Sequence, residues 1–265
     1  MAASLARNRV APSSQALAVR HLEIEDLKAA LRRGYDDFTD KPSHLLFLGL
    51  IYPLFGLVLA GLTFSTNALP LLFPLVSGFA LMGPLVALGL YEVSRRRELH
   101  LATSPNDVLA VFASPARGPI LAFGALLLVI LVCWLASAVA LYQALYGARV
   151  PDSYLGFLGE VLTTPRGWAL ILLGHAIGGV YALAVFSMTV ISFPLILDRH
   201  AGVGTAILTS VELVRTNPRP MAIWALIIAA MLMIGSVPLL VGLAIVLPIL
   251  GHATWHLYRR AVVVE

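Results

Sequence analysis

Long apolar runs separated by short polar segments make up most of the chain between residues 44 and 258. Five of these runs reach about 20 residues, the length that an α-helix needs to cross a bilayer, and none of the five contains Asp, Glu, Lys or Arg. The last run, residues 220–258, would extend roughly 58 Å as one helix against about 30 Å of hydrocarbon. Because Gly235 and Pro238 lie at its centre, we divide it there. The pattern predicts six transmembrane helices in three hairpins, at residues 45–63, 69–91, 119–142, 167–197, 220–235 and 238–258.

Short amphipathic segments precede the three hairpins. Apolar residues recur at spacings of three and four in residues 24–38 and again in residues 203–214, and a weaker copy occupies residues 104–112. A polar turn with proline follows each copy. In the first copy, the predicted apolar face consists of Ile24, Leu27, Leu31, Tyr35 and Phe38.

These elements predict an all-α membrane protein in which each hairpin follows a short amphipathic cytoplasmic helix. The second helix of each hairpin carries a proline, at Pro84, Pro194 and Pro248, and returns to a polar end. This arrangement favours a threefold internal repeat. Amphipathic connectors and intramembrane prolines also occur in helical membrane proteins without repeats, so that interpretation stays open as well.

The positions of the basic residues predict the orientation of the helices. In the six-span arrangement, 16 Lys and Arg residues fall on one side of the membrane, and Arg149 and Arg166 fall on the other. Lys and Arg are enriched in cytoplasmic loops, so both termini are predicted to be cytoplasmic. Residues 1–20 have no apolar core of signal-peptide length and are predicted to be a disordered cytoplasmic tail. Residues 21–265 are predicted to form a single six-span domain.

Composition narrows the classes of function. The chain is 59 % hydrophobic and 12 % charged, far from the roughly 25 % charged residues of soluble domains. A net charge of +4 could indicate a nucleic-acid partner, but the basic residues flank apolar runs and form no stripe on a soluble domain. We therefore expect membrane lipids, among them anionic lipids, as partners, and no nucleic acid. No catalytic residues and no cofactor are predicted.

Two groups of residues are candidates for a site. His252 and His256 are four residues apart, which places both imidazoles on one face of a helix, where they could share a metal ion. Two ligands are too few for a closed site, and packing or contact with a partner explains the pair as well. Arg95, Arg96 and Arg97 follow the second predicted span, where they could set topology, bind anionic lipid or pair with Glu92 or Asp198.

Three strings carry a resemblance to a known family. They are FPLVSGFA at residues 73–80, GLYEVSRRRE at 89–98 and PILGHATWHLYR at 248–259. With these strings, the chain resembles an uncharacterised bacterial family of predicted integral membrane proteins, over about residues 21–264. The resemblance implies a domain of unknown function in the bacterial cytoplasmic membrane. Some members carry the label cytochrome c oxidase, but the three histidines within the predicted spans are fewer than a haem–copper core requires.

Three hypotheses of function follow. The first is a non-enzymatic accessory or scaffold protein that acts through helix packing, with a membrane protein such as a respiratory complex as a partner. The second is a carrier for a neutral or amphipathic small molecule, in which the prolines interrupt helices around a cavity. The third is a metal- or haem-handling accessory of a respiratory oxidase, with His252 and His256 as ligands.

Overall fold

The computed structural model describes residues 16–40, 56, 61, 69–102, 111, 114–151, 153–238 and 241–263. Among these residues there are eleven α-helices and no strand. The helices are α1 (Ile24–Asp40), α2 (Leu72–Leu81), α3 (Gly83–Val86), α4 (Leu88–Glu98), α5 (Arg117–Tyr146), α6 (Tyr154–Thr163), α7 (Pro165–Thr189), α8 (Ser192–Arg199), α9 (Val203–Thr216), α10 (Pro218–Ser236) and α11 (Leu243–Ala261). A 3₁₀ turn, Leu69–Leu71, precedes α2.

Three helical segments of the described chain are long and apolar enough to cross a membrane. They are Arg117–Tyr146, Pro165–Arg199 and Pro218–Ser236. The predicted spans at residues 119–142, 167–197 and 220–235 lie within them. The prediction of an all-helical membrane protein is therefore confirmed. The predicted first span, residues 45–63, lies outside the described residues apart from Gly56 and Gly61.

The prediction that residues 69–91 form one continuous helix was wrong. The chain forms α2, α3 and α4 in succession, with interruptions at Met82 and Ala87. Pro84 lies at the start of α3. Because proline has no backbone N–H and its ring clashes with the carbonyl four residues earlier, it stops a continuous helix here.

Pro194 resembles Pro84 in position, whereas Pro248 does not. The fourth predicted span is interrupted at Val190 and Ile191, before Pro194 in the first turn of α8. By contrast, Pro248 lies inside an unbroken α11. The predicted break before the last helix is confirmed, because α10 ends at Ser236.

Of the predicted amphipathic helices, the first and third form, as α1 and α9. Residues 104–112 lie outside the described residues apart from Val111. Helix α6 was not predicted. The side chain of Ser153 caps its first turn by accepting a hydrogen bond from the Gly156 N–H.

The predicted apolar face of α1 was partly wrong: Leu27, Leu31 and Phe38 pack against the apolar core. The buried residues are Leu27, Ala30, Gly34 and Asp37, whereas Ile24 and Tyr35 are exposed. Two of the four buried residues, Ala30 and Gly34, are small. Gly34 lies at the close contact of α1 with α11, because a Cβ atom on it would lie 2.6 Å from the backbone nitrogen of Ala253. Close approach of the two backbones, and not the size of the apolar side chains, selects this face.

One end of the bundle, which we name the polar end, contains α1, α8 and the C-terminal halves of α4 and α11. Helices α4, α8 and α11 each contact the other two. Stacked rings of Phe123 and Phe193, with centroids 4.7 Å apart, join α5 to α8 in the adjoining apolar core. Helices α5 and α7 run from this region to the opposite end of the bundle, where α6 connects them.

An extended segment before α1 also packs at the polar end. Val19 forms an antiparallel bridge with Val262, and Asn217 accepts a hydrogen bond from the Leu22 N–H and donates one to Arg20 O. Residues 17–20 were predicted to lie in a disordered tail, but the structure shows residues 18–20 paired with the C-terminal segment and the Leu17 N–H bonded to Thr209. The packed domain therefore begins earlier than residue 21.

Candidate functional site

Two glycines allow three helices to meet at the polar end. Gly34 of α1 lies against Ala253 of α11, and a Cβ atom on Gly251 of α11 would lie 2.5 Å from Leu90 Cδ1 of α4. This close packing brings five polar side chains together: Asp37 from α1, Ser94 and Arg97 from α4, and His252 and His256 from α11. We name these five residues the Asp37 cluster.

Asp37 is the centre of the cluster. Its Oδ2 accepts a hydrogen bond from Ser94 Oγ at 2.5 Å and lies 2.9 Å from His256 Nε2. Its Oδ1 accepts a hydrogen bond from Arg97 Nη1 at 2.7 Å. Both carboxylate oxygens therefore have partners, as a buried charge requires. Arg97 also pairs with Asp40.

The hydroxyl group of Ser94 determines the tautomer of His252. Ser94 has one hydroxyl proton, and it donates that proton to Asp37. His252 Nδ1, which lies 2.6 Å from Ser94 Oγ, must therefore be the donor in that contact. In a neutral ring this leaves Nε2 as an acceptor, and it is buried without a hydrogen-bond partner among the residues that the structure describes.

The surroundings of Asp37 shift its acidity. Burial alone raises the pKa of Asp37, but the hydrogen bonds from His256 and Ser94 and the charges of the two histidines outweigh burial, so the pKa lies below its usual value. The carboxylate is therefore ionised at neutral pH and faces the Arg97 guanidinium.

A second set of ion pairs surrounds the cluster and joins neighbouring helices. Arg259 of α11 lies 2.9 Å from Glu98 of α4 and 3.4 Å from Asp198 of α8. The Tyr258 hydroxyl donates a hydrogen bond to the same Asp198 carboxylate, at 2.7 Å. Arg260 pairs with Asp26 at 2.8 Å, which ties α11 to α1.

The three predicted lipid-contact arginines lie within these interactions. Arg95 pairs with Glu92 at 2.8 Å, Arg96 lies 3.7 Å from the same carboxylate, and Arg97 belongs to the Asp37 cluster. Contact of these three residues with lipid stays a prediction. Within the described part of the chain, seven other arginines are exposed and have no carboxylate within ion-pair distance: Arg20, Arg32, Arg33, Arg117, Arg166, Arg215 and Arg219.

The candidate metal ligands His252 and His256 both belong to the Asp37 cluster, where His252 contacts Ser94 and His256 contacts Asp37. The structure gives no group of three or more His, Cys, Asp or Glu side chains arranged to hold a metal ion in the regions it describes. Whether His252 and His256 bind a metal stays a prediction.

Asp37 and Ser94 were missed as members of a site. Asp37 follows Leu27, Ala30 and Gly34 at spacings of three and four, so a carboxylate on a helix face of small and apolar residues was the available signal. Ser94 precedes the arginines and had no comparable signal.

The comparison with known families agrees with the fold. Residues 72–198 match the model of a family described as predicted integral membrane protein (DUF2189). The match confirms the resemblance to an uncharacterised membrane-protein family. It gives neither a bacterial origin nor the cytochrome c oxidase label. No curated protein and no solved structure matches the chain. The chain is an integral membrane protein with a domain of unknown function.

Proposed function

We propose that the protein is a non-enzymatic scaffold of the bacterial cytoplasmic membrane, with six spans and both termini in the cytoplasm. In this proposal, the polar end is the cytoplasmic face. Its role is to hold exposed arginines in a fixed arrangement against anionic lipid headgroups and a membrane-protein partner.

The observation that carries the proposal is the closed state of the Asp37 cluster. Ser94 and His252 are fully buried, and both oxygens of Asp37 bind donors from α4 and α11. A nucleophile or proton carrier needs access to its substrate, whereas these groups bind one another. The arrangement suits a structural lock between α1, α4 and α11.

The exposed arginines supply the contact surface. Arg32 and Arg33 lie on α1, and Arg215 and Arg219 lie where α9 ends and α10 begins. Each basic residue near an anionic membrane surface contributes about 1 kcal/mol to binding. Arg95 and Arg97 form ion pairs with carboxylates of the protein itself. In this proposal they stabilise the packing of the helices, and the exposed arginines contact the lipid.

The test is retention of anionic lipid. The protein and a variant with Arg32, Arg33, Arg215 and Arg219 each changed to Gln are reconstituted in mixed phosphatidylcholine and phosphatidylglycerol nanodiscs, then released and analysed by native mass spectrometry. The variant is expected to lose the enrichment in phosphatidylglycerol. A control variant with Asp36→Asn and Glu212→Gln removes exposed charges of the opposite sign and keeps the enrichment. Equal enrichment in all three proteins would contradict the lipid-contact role.

Partner binding is tested in native membranes. Extraction in a mild detergent followed by mass spectrometry is expected to recover a membrane protein at near-stoichiometric yield. Recovery of respiratory oxidase subunits would support the accessory role in a respiratory complex. A protein recovered alone would count against the scaffold and favour the carrier.

A threefold repeat of interfacial helix and hairpin is part of the proposal. Two observations support it: α4, α8 and α11 contact one another at the polar end, and α4 and α8 are each followed closely by a histidine with positive φ, His100 and His200. The six-span topology is tested by single-cysteine labelling in a Cys133→Ser background. A cysteine at Arg149 should react from the periplasm, and one at Arg219 should not.

Two alternatives remain predictions with tests of their own. A carrier for a neutral or amphipathic molecule should accelerate passage of its substrate across proteoliposomes. A metal- or haem-handling accessory should contain bound metal or show a haem absorption band after purification, and lose it in His252→Ala and His256→Ala variants.

A further inference from the structure

A cavity lies at the end of the bundle opposite the Asp37 cluster. It has a volume of about 280 Å³ and is bounded by α2, α5, α6 and α7. Ring side chains contribute to its wall, from Phe73, Trp134, Tyr142, Phe157 and His175. Ligand pockets usually measure roughly 300–1,000 Å³, so this volume suits one compact molecule and is small for a lipid with two chains.

The side-chain donors on the cavity wall are already bonded within the protein. Trp134 Nε1, the Ser137 hydroxyl and the Tyr142 hydroxyl each donate to a backbone carbonyl, at 2.8, 2.8 and 2.9 Å respectively. His175 Nδ1 lies 2.8 Å from Ile171 O, and a carbonyl can only accept, so Nδ1 is the donor in this contact too. The described side chains of the wall therefore have only acceptor atoms left to offer a ligand.

An acceptor without a partner stands on the cavity wall at His175. Because Nδ1 carries the proton, Nε2 of the uncharged ring has a free lone pair, and it has no hydrogen-bond partner within the part of the chain that the structure describes. His175 both lines the cavity and is exposed on α7, which belongs to a segment apolar enough to cross a membrane. A molecule dissolved in the bilayer can therefore reach Nε2.

The charges around the cavity favour a neutral ligand. None of the described residues that line it carries a charge. A neighbouring pocket, which shares Pro70 and Tyr142 with the cavity, contains Arg149, and Arg149 pairs with Glu160 at 3.1 Å. Residues 149–166 contain two arginines and two carboxylates, so this end of the bundle has no excess of either sign. A charged ligand would lose its hydration in the cavity without gaining a counter-charge.

We propose that the cavity binds a neutral phenol from the bilayer, whose ring packs on the aromatic wall and whose hydroxyl group donates a hydrogen bond to His175 Nε2. A phenol supplies the donor that the side chains of the wall lack. It is uncharged at neutral pH, since phenols ionise at about pH 10, and aromatic rings gain energy from stacked or edge-to-face contacts. The ring of Phe73 already packs beside His175, with centroids 5.3 Å apart. The site is distinct from the Asp37 cluster and does not depend on the scaffold role of the polar end.

The test compares para-bromophenol with para-bromoanisole, in which a methyl group replaces the hydroxyl proton. Bromine quenches tryptophan fluorescence by contact, and Trp134 lines the cavity. The full-length protein in phosphatidylcholine nanodiscs is titrated with each compound, and binding is corrected for partition into empty nanodiscs. Quenching by para-bromophenol is expected to saturate and to be about three- to tenfold tighter than quenching by para-bromoanisole, as one net hydrogen bond predicts. The saturable part should disappear in Trp134→Phe. Equal affinities for the two compounds would overturn the proposal.

The acceptor is tested by substitution of His175. His175→Phe keeps a ring of similar size and removes Nε2, so the preference for para-bromophenol over para-bromoanisole should fall to about one. His21→Phe, the same change at an exposed histidine before α1, is the control and should keep the preference. A preference that persists in His175→Phe would overturn the assignment of the hydroxyl group to Nε2.

Two glycines of α7 test the cavity without changing His175. A Cβ atom on Gly174 would lie 3.8 Å from Leu141 Cδ2, and both residues line the cavity. By contrast, a Cβ atom on Gly179 of the same helix would have no neighbour within 4 Å. Gly174→Leu fills the cavity and should weaken binding of para-bromophenol about tenfold or more, while Gly179→Leu should leave it unchanged. Equal binding by both variants, or quenching that rises without saturation in proportion to the compound in the bilayer, would overturn the proposal.

Discussion

His256 Nε2 lies 2.9 Å from Asp37 Oδ2, although the two residues are 219 positions apart in the chain. This contact joins the first described helix to the last one. With Ser94 and Arg97 of α4 on the same carboxylate, it connects three helices at a single side chain. The stability of the polar end should therefore depend on Asp37 more than on any of its exposed neighbours.

Asp37→Asn should destabilise the protein by about 2 kcal/mol or more, because it leaves the Arg97 charge and the His256 ring without their carboxylate. The free energy of unfolding in detergent measures this effect. Asp36→Asn, the exposed neighbour on the same helix, is the control and should change stability by less than about 0.5 kcal/mol. Equal effects of the two substitutions would contradict the burial of Asp37.

The ionisation of the Asp37 carboxylate should make the free energy of unfolding depend on pH. The pKa of Asp37 is lowered in the folded protein from an ordinary value of 3.8, so its contribution is fully present above that value and is lost as the pH falls through the lower folded value. The difference in unfolding free energy between wild type and Asp37→Asn should shrink as the pH falls below about pH 4. A difference that grew below that pH would contradict this sign.

Gly34→Ala should weaken the contact between α1 and α11. The added methyl group would lie 2.6 Å from the Ala253 nitrogen, and such overpacking typically costs about 1–3 kcal/mol. Gly118→Ala is the matched control, because its added Cβ atom would meet nothing within 4 Å. In α5 it should stabilise by up to about 1 kcal/mol through higher helix propensity. Thermal unfolding of both variants distinguishes the two signs.

Asn217→Ala should release the segment that precedes α1. Asn217 is buried, accepts from the Leu22 N–H at 2.6 Å and donates to Arg20 O at 3.0 Å. Without these bonds, trypsin should cleave after Arg20 about tenfold faster, which corresponds to roughly 1.4 kcal/mol of lost local stability. Thr216→Ala, which removes a hydroxyl group that donates a hydrogen bond to Glu212 on the helix surface, should leave the cleavage rate unchanged. Unchanged cleavage in Asn217→Ala would show that other contacts hold the segment.

Individual helices were predictable from the sequence, but their contacts were not. Apolar runs located α5, α7 and α10, because a span is determined by local composition. The buried face of α1 was only partly predictable from apolar residues: Leu27 is buried as predicted, but Ala30, Gly34 and Asp37 are buried as well and Tyr35 is exposed. The local sequence of α1 contains no information about which helix would supply a partner for its carboxylate.

The candidate residues of the site were predictable where local spacing determines their position, and not where the packing of helices does. The i and i+4 spacing placed His252 and His256 on one helix face, and both belong to the Asp37 cluster. Arg97 was identified only as part of a basic run. Its pairing with Asp37, 60 residues earlier, depends on the packing of α1 and α4 against α11, which sequence spacing does not reveal.

A double-mutant cycle between Asp37 and His256 tests the structural lock most directly. The free energy of unfolding in detergent is measured at neutral pH for wild type, Asp37→Asn, His256→Gln and the double variant. If the two side chains stabilise the fold through their contact, the sum of the destabilisations caused by the two single substitutions should exceed the destabilisation in the double variant by about 1 kcal/mol or more. Effects that add within about 0.3 kcal/mol would contradict the lock, and with it the scaffold proposed for the polar end.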